Sequence, residues 1–169
     1  MVQTITGKEL QLVLMDPKAL SVKEPYFVIR GENGENITVI ASGKHGLEFN
    51  KTLGYFHTFA GVIIYHCLYG QGILIMQRGD SQGEIKEVRV VALRPGMVHE
   101  VPAGYGHAIS NIGKNFLIVA DNAPQDAKTQ NIDILKAKKG LAYYVVDKKG
   151  NVSFEENKNY GFHPQITTS

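Results

Sequence analysis

The sequence predicts an all-β fold in a single domain, and three observations carry that reading. Short apolar runs repeatedly meet Gly, Pro, Asn or Asp after a few residues, which is the punctuation of strands and turns. Long stretches of 3.6-residue periodicity are scarce, so helices do not supply the main core layer. A hydrophobic content of 43% over 169 residues suffices for one substantial core and is too little for two ordinary ones.

Taken in order, strands are expected near Tyr26–Arg30, Ile37–Ala41, Val62–Leu68, Ile73–Gln77, Ile85–Ala92, Met97–Val101, Ala108–Asn111 and Phe116–Asp121. Arg78-Gly-Asp-Ser-Gln-Gly83 reads as a hairpin loop, its Arg-Gly-Asp explained by turn preference and not by adhesion. Pro95-Gly96 makes a turn, and Pro102 to Gly106 makes a tight reversal before the next strand. A last hairpin, Leu141–Val146 with Val152–Glu155, closes around Asp147-Lys-Lys-Gly150. Thr129–Lys138 is expected to form one short helix with Ile132 and Leu135 as its apolar pair.

Charge and composition exclude several classes. The formal net charge is +2 and the charges are dispersed, which gives no reason to invoke nucleic acid or an anionic membrane. The Lys136-Ala137-Lys138-Lys139 cluster is a solvated segment end. No apolar run approaches the roughly 20 residues that cross a bilayer. Met1 to Lys8 lacks the basic-then-apolar order of a secretory signal. The single cysteine, Cys67, rules out an internal disulfide framework, fits a reducing cytoplasm, and lies in an apolar alternating segment as a small core residue.

The chemistry concentrates in Gly96-Met-Val-His-Glu-Val-Pro-Ala-Gly-Tyr-Gly-His-Ala-Ile-Ser-Asn111. Its spacing, Gly-x5-Pro-x-Gly-x2-His-x3-Asn, holds His107 on a rigid strand beside a turn and resembles the second signature motif of cupins. The resemblance implies a jelly-roll-like β-barrel in which His107 faces a central metal and substrate cavity. Residues 1–25 are then an N-terminal arm, 26–160 the barrel and 161–169 a C-terminal tail. A second block, Thr38 to His57, carries Thr-Val, Gly-Lys-x-Gly-x-Glu-Phe and Thr-x-Gly-x-Phe-His. It resembles the cupin-type phosphoglucose isomerases, and with Leu68-Tyr-Gly-Gln-Gly72 and Asn111-Ile-Gly113 the similarity runs from Thr38 to Asp121.

That resemblance implies an aldose–ketose isomerase interconverting glucose 6-phosphate and fructose 6-phosphate, a cytoplasmic homodimer of glycolysis and gluconeogenesis. Thr38, Thr52 and Gly54 match residues that hold the sugar phosphate, through hydroxyl and exposed-amide donors. Tyr65 matches a tyrosine near the sugar, with an aromatic core residue as its plain alternative. The family's divalent metal, whether iron, manganese, nickel or zinc, is held by His-x-His, a later glutamate and the downstream histidine. Here only His57 and His107 match; Tyr55 replaces the first histidine and Ile63 falls at the glutamate, so the metal site is incomplete.

The missing glutamate is the family's candidate for proton transfer, which leaves Tyr55, Tyr65 and His57 as substitutes and His107 as a substrate contact. Glu48 is read as a solvent-facing or turn-stabilising carboxylate, and His45 and His163 as exposed loop residues. His66 should point outward beside Tyr65, while His99 stays open between a satisfied polar side chain, a surface group and a cavity group. The alternative function is a catalytically degenerate cupin that binds a sugar phosphate or small anion.

Overall fold

The computed structural model describes residues 1–126 and 130–168. Its first strands are β1 Val2–Ile5, β2 Tyr26–Arg30, β3 Asn36–Ile40, β4 Lys44–His45, β5 Glu48–Phe49, β6 Tyr55–His57, β7 Ile63–Tyr69 and β8 Gly72–Gly79. After them come β9 Ile85–Leu93, β10 Val98–Val101, β11 Gly106–Asn111, β12 Leu117–Asp121, β13 Gln130–Asn131, β14 Tyr143–Lys148, β15 Asn151–Glu156 and β16 Ile166–Thr168. Two short helices, α1 Gly7–Leu10 and α2 Asp133–Lys138, interrupt them. No helix among the described residues is long and apolar enough to cross a membrane.

Two six-stranded sheets, ordered β1-β2-β3-β12-β7-β10 and β13-β6-β11-β8-β9-β16, form the all-β jelly-roll barrel that the sequence predicts. A four-stranded sheet, β15-β14-β5-β4, flanks them. The inward residues of both large sheets meet in one core: Tyr26, Ile40, Ile63, Cys67, Leu117 and Val119 face Leu74, Met76, Val91 and Ile109. A second core lies behind the β8-bearing sheet, where Leu10, Val13, Leu14, Leu135, Leu141 and Tyr160 cover Ile75, Val88, Val90 and Ala108. The middle of β8 is therefore buried on both faces, and Leu-Ile-Met-Gln there shows no polar alternation.

Residues 1–25 contribute to both layers. β1 joins the first sheet as an edge strand with Ile5 opposite Tyr26, and the chain from Leu10 to Leu14 fills the second core. At the other end, β16 pairs in parallel with β9. The final Asn of the Gly-to-Asn motif is a structural pin: buried Asn111 donates to the carbonyls of Ile40 and Asn115 and accepts from the Gly113 amide. Leaving such a group unmet would cost about 1–3 kcal/mol.

Several local expectations are corrected. The helix expected over Thr129–Lys138 begins only at Asp133; Thr129 lies outside the described residues, and Gln130 and Asn131 pair with β6. Asn131 Oδ1 accepts the Asp133 amide and starts the helix there. Ile132 and Leu135 do not act as a pair, since Ile132 lines the barrel cavity while Leu135 enters the second core. His45 is buried, with the Ser21 amide donating to Nδ1 and Nε2–H donating to Asn50 Oδ1. Glu48 is buried against Lys51 and accepts the Met15 amide, because the N-terminal segment folds over it. His163 is half-buried, its Nε2–H donating to the Asn157 carbonyl.

Candidate active site

The Pro102-to-Gly104 turn does more than reverse a hairpin. With Gly104 at φ +83° it carries the chain from β10 in one sheet to β11 in the other. Gly106 opens β11 where a Cβ would sit 2.5 Å from the Phe56 ring, so a larger residue there would have to displace that ring. His107 follows at once, 1% exposed and pointing between the sheets. From the opposite sheet the Tyr65 hydroxyl reaches within 3.0 Å of its Nε2. Tyr55, its register partner on β6, packs edge-on with ring centroids 4.6 Å apart.

These groups open onto a cavity of about 270 Å³, whose wall includes Thr38, Thr52, Gly54, Tyr55, Tyr65 and His107. That volume sits near the lower end of small-molecule sites, which run roughly from 300 to 1,000 Å³. The structure thus gathers every residue that the sequence assigns to substrate. Thr52 Oγ1 accepts the Ile109 amide, which leaves its own hydrogen free to donate. Gly54 has φ +77°, and a Cβ there would meet the His107 carbonyl at 2.7 Å. It sits in the wall because β11 passes directly behind it.

Burial sets the protonation states. It depresses the His107 imidazole to about 3, with the neighbouring His57 ring pushing the same way. Burial likewise raises the Tyr26, Tyr55 and Tyr65 phenols, so all three stay protonated. The cavity therefore offers neutral donors around a neutral imidazole. Burial also lifts the Asp121 carboxyl above its ordinary range, with hydrogen bonds from Asn36 and the Ala123 amide and the charge of Arg30 opposing that rise.

His57 stands apart from the cavity wall. It is buried, stacks obliquely on Phe59 and directs Nε2 to the Val101 carbonyl at 3.1 Å. Its ring centroid lies 6.3 Å from that of His107, so the two predicted metal ligands are neighbours. A resident divalent metal nevertheless does not fit this donor set. Both Nε2 atoms are engaged, so the two imidazoles offer no more than their Nδ1 atoms, and Ile63 presents only hydrocarbon where a third ligand would be needed. No group of three or more His, Cys, Asp or Glu able to hold a metal occurs among the described residues.

Two charged wall residues escaped the sequence reading, Arg30 and Asp121. A signal for both was present. Tyr26, Val28 and Arg30 alternate along β2, and Leu117, Val119 and Asp121 along β12, so an inward first residue implies an inward charged last one. Of the remaining histidines, His66 is exposed, and His99 is satisfied by the Ala92 carbonyl at 2.9 Å.

A family profile described as glucose-6-phosphate isomerase (GPI) matches residues 26–162. The glucose-6-phosphate isomerase of Thermococcus litoralis is 30% identical over 124 residues, which are 73% of this chain and 62% of that protein. That of Pyrococcus horikoshii is 31% identical over the same shares. The chain thus spans less than two thirds of the length of these relatives. Among solved structures, the Drosophila melanogaster CENP-C cupin domain aligns with a TM-score of 0.43 at 9% identity, covering 57% of this chain and 64% of that one.

Proposed function

Since the chain belongs to the glucose-6-phosphate isomerase family, we propose that its cavity binds a sugar phosphate and interconverts glucose 6-phosphate and fructose 6-phosphate. The observation that carries this reading is the meeting of Thr38, Thr52, Gly54, Tyr65 and His107 in one cavity wall. Arg30, the one Lys or Arg in that wall among the described residues, supplies the charge a phosphate dianion needs. Thr38 and Thr52 add hydroxyl donors, while Tyr65 and His107 orient the open-chain carbonyl at the other end of the sugar.

The neutral Tyr65 and His107 suit a donor role. A phenol held above its ordinary value and an imidazole held near 3 are poor proton acceptors at neutral pH, yet the Tyr65 hydroxyl, held from behind by His107 Nε2–H, can polarise a carbonyl oxygen. As the donor set does not fit a resident metal, no step is assigned to one. The same reading makes the protein a cytoplasmic homodimer serving glycolysis and gluconeogenesis; sedimentation of the purified chain tests the dimer.

Turnover of glucose 6-phosphate to fructose 6-phosphate should be measured with and without added divalent metals, beside titrations of glucose 6-phosphate and glucose. The expected result is measurable turnover, tighter binding of the phosphorylated sugar, and loss of that preference in Arg30→Gln and Thr52→Val. Equal affinity for both sugars, unchanged in those variants, removes the phosphate assignment. The second reading, a degenerate cupin that only binds a sugar phosphate, is favoured by Tyr55 and Ile63 standing where the family carries ligands. Saturable binding without turnover under every metal condition decides for it.

A further inference from the structure

The isomerase reading needs a group that moves a proton between adjacent carbons, and on that reading we propose that the Asp121 carboxylate is this group. The position at which the resemblance places a glutamate is Ile63 on β7, wholly buried in the barrel core. A carboxylate reaches the same cavity from the adjoining strand: Asp121 ends β12, stands directly across from Tyr65 in the ladder, and is the only carboxylate in the cavity wall among the described residues.

The residue is aimed by fixed contacts. Oδ1 accepts 2.8 Å from the Asn36 side-chain amide and 2.9 Å from the Ala123 amide, while Asn36 is anchored in turn on the Ala123 carbonyl. Oδ2 carries no hydrogen bond among the described residues. One oxygen thus positions the group, and the other is free for chemistry. The row Arg30, Asn36, Asp121, Tyr65 crosses four neighbouring strands at one level. With strands about 4.8 Å apart, Arg30 and Asp121 stand on strands roughly 10 Å apart, a separation suited to a phosphate at one end of an open-chain hexose and the carbonyl at the other.

The rival groups fail on their own terms. Glu48 is committed to Lys51 on the far side of β11's sheet, and the three phenols and His107 are held in their neutral forms. Burial raises the Asp121 carboxyl, which makes its ionised form a stronger base than an ordinary aspartate.

The step balances without a co-reactant. Asp121 Oδ2 takes the proton from C2 of the aldose, and the C–H electron pair forms the C1=C2 bond. The C1 carbonyl pair moves to O1, which takes the Tyr65 hydroxyl proton to give the enediol, leaving a phenolate held by His107 Nε2–H. The O2 hydroxyl then returns a proton to the Tyr65 oxygen as C2=O2 forms, and the Asp121 carboxylic acid delivers its proton to C1.

An Asx turn and an anchor for Asn36 could be kept equally well by asparagine, so Asp121→Asn separates chemistry from scaffold. Turnover and deuterium wash-in at C2 from heavy water should be followed in wild type and Asp121→Asn, alongside titration of glucose 6-phosphate. We expect binding within about threefold of wild type and a fall of about 10²- to 10⁴-fold in both rates, the usual worth of a general base. Asp121→Glu, with the carboxylate on a longer arm, should recover part of the loss, and it serves as the second variant if Asp121→Asn fails to fold. Wild-type rates in Asp121→Asn, or Asp121→Glu rates matching those of Asp121→Asn when the latter is folded, overturn the proposal while the isomerase reading stands. Binding without any turnover in wild type overturns that reading and this inference with it.

Discussion

The Tyr65 hydroxyl stands 3.0 Å from Nε2 of His107, and that one contact ties β7 of the first sheet to β11 of the second across the cavity. Both side chains are buried, so neither has water as a substitute partner. The pair is therefore a strut of the barrel, and with Nε2–H of His107 donating to the phenol oxygen it leaves the Tyr65 hydroxyl hydrogen for the cavity.

Removing the hydroxyl tests the strut directly. Tyr65→Phe keeps the ring and leaves His107 Nε2 unpaired, which should lower stability by about 1–3 kcal/mol. Urea unfolding of the purified variant measures it, and a midpoint equal to that of wild type would show the contact contributes nothing. Isomerase turnover should fall in the same variant, while the glucose 6-phosphate titration changes far less.

Acid should weaken the protein through His107. Its imidazole stays neutral in the folded chain down to about 3, whereas in the unfolded chain it titrates near the ordinary 6.5. Between those limits the unfolded chain binds one more proton, so this contribution is complete above about pH 6.5 and is lost as pH falls, at about 1.4 kcal/mol per pH unit. Asp121 acts with opposite sign, because its raised carboxyl gives the folded chain the extra proton in acid. The comparison that isolates His107 is wild type against His107→Gln, by denaturant unfolding at pH 7, 6 and 5. Parallel stability profiles would refute it.

Gly54 is held by geometry as well as by any ligand. An alanine there combines a left-handed φ of +77° with a Cβ 2.7 Å from the His107 carbonyl, and both Ala108 and Leu135 crowd the same point at 3.1 Å. Gly54→Ala should cost about 1–3 kcal/mol from backbone strain alone and displace β11 with its histidine. A melting temperature unchanged by the substitution would show that the loop relaxes freely.

The site was legible where period-two alternation runs into a rigid strand. Tyr65 inward and His66 outward follow from the pleat, and His107 follows from a Pro-x-Gly turn that fixes its start. By the same rule Arg30 and Asp121 were readable, but a charge at a strand end is ordinarily a solvated one, and sequence carries no sign that the cavity continues to that level. What sequence could not show is the second layer. His45 and Glu48 lie in a short, Gly-bounded stretch that reads as loop, and they are buried only because residues 13–21 return over them from a distance of about two dozen residues or more. Helix α2 ends at Lys138 as the sequence predicts but starts later, at Asp133, because Ile132 serves the cavity and Leu135 the second core and the two do not share one helical face.

The buried pair of Glu48 and Lys51 fastens that second layer, and its removal gives the largest effect expected on stability. Lys51 Nζ, ion-paired with Glu48, also donates to the Val13 carbonyl at 2.7 Å and lies 5.0 Å from the centroid of the Tyr144 ring. Glu48 Oε2 accepts the Met15 amide at 2.8 Å, so both charges grip the same N-terminal segment. Lys51→Met strands a carboxylate that is essentially inaccessible, and the expected cost is about 3–5 kcal/mol. Adding Glu48→Gln removes the uncompensated charge while keeping an acceptor for Met15, so the double variant should regain most of that loss. Chemical unfolding of wild type, both single variants and the double variant measures the coupling. Simple additivity of the two single losses would show that the charges act independently and that the clasp is only packing.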